Sequence, residues 1–143
     1  MTALTKDRNT PERMGWYRSG TVAANVNIHN GSLLMRDANG DIKPGASETG
    51  SVGLGRAESS ANNTGGQAGD LTVNYRPGIF AFDNSAGADL IGTSHVGKLC
   101  YIVDDQTVAA TDDTGARSPA GFVDEVDGSQ VWVRFDEAIT GIA

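Results

Sequence analysis

The chain has 143 residues, with 11 Lys and Arg against 18 Asp and Glu, a net charge of −7. That length fits one domain with a single sizeable core, and the acidic balance argues against a nucleic acid partner, whose phosphates it repels. No run approaches the ~18 apolar residues of a membrane-spanning helix, so no membrane partner is expected; the single cysteine, Cys100, excludes an internal disulfide and a cysteine-based zinc cage.

Charge is unevenly spread along the chain. Lys6, Arg8, Arg13 and Arg18 against Asp7 and Glu12 leave the first 18 residues at +2, whereas the last 43 hold nine acids and only Arg117 and Arg134. The N-terminal segment has no apolar signal core, so synthesis and folding in a cytoplasm are expected. It reads as an extended arm over residues 1–18, with at most a short turn capped by Thr10 and opened by Pro11. Trp16 and Tyr17 stand at its end beside basic residues. Two such rings need a surface to cover, either the chain's own β domain or a neighbouring subunit.

Beyond the arm the apolar residues alternate. "TVAANVNI" (21–28) places Val22, Ala24, Val26 and Ile28 on one face, the period of a half-buried strand. "SLLMR" follows and runs into "DANG", where the Asn39-Gly40 pair suits the positive φ of a hairpin turn. "ESSANNTGGQAG" (58–69) reads as a polar surface loop. "LTVNYR" and "IFAFD" flank Pro77-Gly78, a combination that predicts a type II turn between strands. "LCYIV", "QTVAAT", "GFVDEV" and "QVWVRF", separated by "DD", "DDTG" and "DG", have the spacing of a meander. A single turn over Thr93 to Gly97 is the only other helical signal. The chain is therefore read as mainly β: one β-barrel or sandwich domain over 19–143, its strands spanning roughly 19–137, behind the extended N-terminal arm.

Residues 92–99, "GTSHVGKL", match the phosphate-binding pattern G-x-x-x-x-G-K-[ST] except at the last position, where Leu99 cannot ligate magnesium. A phosphate loop opens a helix, whose free amides converge on the anion. Here Lys98 opens a strand, so the match is read as coincidence, with Gly97 closing a turn. "GLGRAE" (53–58) lacks the third glycine and following helix of a dinucleotide site. Asp104-Asp105, Asp112-Asp113, Asp124 and Asp127 are read as turn residues, with a divalent ion site as the alternative. His29 and His95 have no nucleophile or ligand partner in sequence and are read as surface or turn residues. Cys100 is read as a small buried hydrophobe. Trp132 alternates with Val131, Val133 and Phe135, which puts it on an outer face or beneath the arm.

"HVGKLCYIVDDQTVAATDDTGARSPAGFVDEVDGSQVWVRF" (95–135), with "VGLGRAESSANNTGGQAGDLTVNYRPGIFAFDNSAG" (52–87) before it, resembles a family of short capsid decoration, or cement, proteins of tailed bacteriophages. The similarity covers about residues 20–135, and Gly97 to Gly121 is its most specific part. Members have also carried a predicted recombinase label, but this sequence lacks the nucleotide site that such a role requires. The resemblance implies a mainly β domain that coats the outside of a head built from the major capsid protein. By analogy with other decoration proteins the resemblance implies homotrimers at three-fold and quasi-three-fold positions. It also implies a place on the capsid exterior of the virion, assembled in the host cytoplasm, with no cofactor and no catalytic motif to carry over. The first 18 residues lie outside the resemblance. Contact of Arg8, Arg13, Trp16, Tyr17 and Arg18 with the capsid or a neighbouring subunit is inferred from their charge and aromatic surface. The rival readings are a host- or glycan-binding head fibre domain and a tail-tube subunit, with an enzyme third.

Overall fold

A computed structural model describes residues 2–143; Met1, the first residue of the expected arm, lies outside the described residues. The strands are β1 (Arg18–Thr21), β2 (Asn27–Ile28), β3 (Leu33–Arg36), β4 (Ile42–Pro44), β5 (Val52–Ala57) and β6 (Ala61–Asn62). They continue with β7 (Thr72–Arg76), β8 (Gly78–Asp83), β9 (Leu99–Ile102), β10 (Val108–Ala109), β11 (Pro119–Asp127) and β12 (Gln130–Phe135), and a short helix α1 (Glu137–Ile142) follows. Three antiparallel sheets result, in the orders β1-β7-β5-β3-β4, β10-β9-β11-β12-β8 and β2-β6.

The residues of β3 explain how the sheets stack. Leu33 and Met35 point into a core shared with the second sheet, where they meet Ile102, Val123, Val131 and Val133. Leu34, between them, points the other way into a second core with Ile42, Leu54 and Val73, closed over by Ile28 and Ala61 of the β2-β6 ribbon. A strand buried on both faces reads as a continuous apolar run, as "LLM" does. The first sheet is thus the middle layer of a sandwich-like stack. A bridge from Val22 to Ile42 draws the ends of β1 and β4 together without closing a barrel. Complete burial of residues such as Ile28, Leu33, Leu34, Ile42, Leu54 and Ile102, at ~1.5–3 kcal/mol each, supplies a core that has no need of a disulfide.

Several local expectations are corrected. "TVAANVNI" is not one strand: Asn25 takes a left-handed φ of 54°, the chain turns there, and Ala24 is exposed while Ala23 is buried. An asparagine tolerates that conformation because its short polar side chain bonds locally; here its Oδ1 accepts from the Gly65 N–H. At the "DANG" hairpin only Gly40 has positive φ, 88°, and the Asp37 carboxylate accepts from the Asn39 and Asp41 amides, the pattern of a three-residue loop ending in a left-handed glycine. Pro77-Gly78 is no type II turn, since Gly78 has φ 148°. It is a corner at which the chain leaves the first sheet and enters the second, so β7 and β8 do not pair. The last strands are not a simple meander, because β11 returns beside β9 and pushes β10 to the edge. Residues 58–69 contain β6, and buried Asn63 donates to the Ala23 and Gln67 carbonyls. Thr10 and Pro11 form no helical turn, whereas Thr93–His95 do form a single 3-10 turn. Helix α1 is an element the sequence reading lacked.

Candidate interaction surface

Alternation along β12 turns Val131, Val133 and Phe135 inward and leaves Trp132 and Arg134 on the outer face. Register places Trp132 opposite Ala81 and Arg134 opposite Ile79 of β8. Trp132 is 37% exposed, in agreement with the outer-face reading. On the neighbouring sheet, β5 and β7 set Arg56 directly opposite Arg76. Like charges in that position repel, and Glu58 offsets them: its Oε1 lies 2.7 Å from Arg56 Nη2 and 4.0 Å from Arg76 Nε. The Arg56 guanidinium lies over the Phe80 ring at 4.3 Å from its centroid, and that of Arg76 over Tyr17 at 5.6 Å. Both are arranged as cation–π pairs.

The five residues expected to make contact are only partly gathered. Trp16, 63% exposed, stands beside Gly78, Ile79, Arg134 and Phe135. Tyr17 is 65% exposed under the Arg76 guanidinium. Arg18 belongs to β1, and its Nη1 turns back to the Gly15 and Tyr17 carbonyls, so it braces the turn that presents the two rings. Arg8 donates to the Thr10 hydroxyl; neither it nor Arg13 is brought to this corner, and residues 2–17 are all exposed. Sequence reading missed Arg56, Arg76 and Arg134. Only Arg134 carried a signal, since "VWVRF" puts it on the same face as Trp132; the meeting of Arg56 with Arg76 depends on strand pairing.

Elsewhere the side chains have local duties. Gly97, with φ 84°, donates to the Val123 carbonyl and Lys98 to that of His95, so the phosphate-loop-like amides are taken up by a turn and a sheet, and β9 follows. The Asp104 carboxylate accepts from the Gln106 amide, the turn chemistry expected of it, and the backbone carbonyl of Asp112 accepts from Ala116 and Arg117; Asp124, against the turn reading, lies inside β11, where the ladder to β12 shifts register. Hydrogen bonds from Thr111 and Arg117 hold the Asp89 carboxyl below its ordinary pKa. His29 is exposed, and His95 Nδ1 accepts from the Gly92 N–H. Burial pushes the Cys100 thiol up to about 12. Among the described residues no three His, Cys, Asp or Glu side chains converge as a metal centre needs, and no helix is long and apolar enough to cross a membrane. No family model, curated protein or solved structure matches the chain.

Proposed function

We propose that this chain is a capsid decoration protein of a tailed bacteriophage, attached to the outer surface of the major capsid protein lattice, as trimers at three-fold and quasi-three-fold positions. The observation that carries the reading is the pair Trp16 and Tyr17, both well over half exposed. They close a segment bearing Lys6, Arg8 and Arg13, while the rest of the chain is acidic. The resemblance over residues 52–87 and 95–135 supports it, as does a rigid β stack, which suits a part that has only to hold. The segment reaches where the body cannot: about 17 extended residues span ~55–60 Å, and their positive charge suits an acidic shell patch that repels the body.

The test mixes undecorated heads with the intact chain and with a chain lacking residues 1–17, a cut that stops short of β1. Sedimentation of the intact chain with heads, and loss of that cosedimentation on truncation, is the expected result. Failure of the intact chain to bind heads, or its copurification with tails, overturns the reading. Equal cosedimentation of both forms removes the segment from the contact.

A further inference from the structure

β8 is the last strand of the second sheet. At its far end the Asp83 N–H donates to the Gln106 carbonyl, so Asp83 faces away from β12. The period of two then turns the backbone groups of Ala81 and Ile79 to the same open side. Beside this edge lies a groove of about 460 Å³ lined by Arg56, Arg76, Ile79, Ala81 and Trp132. Open edges invite a further strand.

Charge selects the strand. Arg56 and Arg76 share the single carboxylate of Glu58, and Arg134 makes no ion pair among the described residues. Two copies joined edge to edge through β8 bring arginine against arginine. The chain's own N-terminal segment, with Lys6, Arg8 and Arg13, carries the same sign. Arginines that merely guard an edge extend into water, whereas Arg56 packs on Phe80 and Arg76 Nε is buried without a hydrogen-bond partner. Guanidiniums held in this way are prepared for carboxylates. We propose that the open edge of β8 and the arginines beside it form a docking groove for an extended acidic segment of a partner protein, which adds to the second sheet as another strand. Backbone pairing supplies the affinity and the arginines the choice of partner. This role does not require that the N-terminal segment bind a capsid, although Tyr17 of that segment rests against Arg76.

The full chain is titrated at low ionic strength with a blocked peptide of about seven residues alternating valine and glutamate, strand length, and with its valine–lysine counterpart. The glutamate peptide is expected to bind and shift the Ile79 and Ala81 amide signals, with the lysine peptide at least about tenfold weaker. Arg76→Glu combined with Arg134→Glu is expected to weaken binding by about tenfold or more. Ala81→Pro removes an N–H that faces the open edge, not the β12 ladder, and is expected to abolish binding while the unfolding midpoint is kept. Should that variant not fold, the arginine pair and the amide shifts decide. The proposal is overturned if the glutamate peptide does not bind, if the lysine peptide binds equally, or if a folded Ala81→Pro chain binds like the parent. Oligothymidylate that shifts these amides where the peptide does not overturns it as well.

Discussion

Gly53 lets the first sheet approach the second closely, because a Cβ there would fall onto the Ala120 carbonyl. Backbone cannot yield as a side-chain tip can, so overpacking at this point costs about 1–3 kcal/mol. Gly53→Ala is expected to lower the urea midpoint accordingly, while Gly92→Ala, which meets nothing within 4 Å, stays within about 0.5 kcal/mol of the parent. Cys100 gives a second check on the same core. Its thiol is pushed up to about 12 by burial from an ordinary 9.0. A pKa raised on folding means that the thiol form favours the folded state. That contribution is fully present below about pH 9 and is lost as pH rises through about 12. At pH 8 the folded chain is expected to resist iodoacetamide and the urea-unfolded chain to be alkylated. Equal labelling of the two would place Cys100 outside the core.

At the scale of elements, α1 is held by a clasp whose parts are far apart in sequence. Asp136 caps it by accepting from the Ile139 N–H, and Arg36 Nε donates to Glu137 at 2.6 Å while its Nη2 donates to the Tyr75 hydroxyl at 3.0 Å. Partial burial works against the Arg36 charge, but Glu137 and Tyr75 outweigh it and raise its pKa. Because Glu137 is substantially exposed, solvent screens the pair, and Glu137→Ala is expected to cost only about 1 kcal/mol. Its clearer sign is faster amide hydrogen exchange over residues 139–142 with no change in β12. The contrast between α1 and β12 also shows what the sequence discloses. Alternation in "QVWVRF" set inward from outward residues correctly, because it depends on the pleat alone. A helix of six residues has too short a pattern to be seen. Strand order is equally hidden: nothing in "LCYIV" or "GFVDEV" tells that β11 displaces β10, and nothing before β5 and β7 pair tells that Arg56 meets Arg76.

For the whole molecule, the division of charge separates stability from attachment. Residues 2–17 are all exposed, with Tyr17 resting against Arg76, so removing the first 17 residues is expected to lower the free energy of unfolding by no more than about 1 kcal/mol. Residues 19–143 hold seven cations against sixteen acids, and three of the seven, Arg56, Arg76 and Arg134, lie around the groove and face described above. In the proposed decoration role, one basic segment with two aromatic rings holds weakly, since ordering an extended chain opposes the gain from burying Trp16 and Tyr17. Three segments on one trimer act at high effective concentration and raise the affinity by about 10²–10⁴-fold over one. Salt separates charge from apolar burial in that attachment. Raising ionic strength from about 0.05 M to 0.5 M shortens the screening length from ~14 Å to ~4 Å, so head binding is expected to weaken steeply while the unfolding midpoint holds. Trp16→Ala is expected to weaken binding at every salt concentration and leave the slope unchanged; Arg8→Ala with Arg13→Ala is expected to flatten the slope. Binding that ignores salt and both sets of substitutions would move the attachment off the N-terminal segment and onto the face of the sheets.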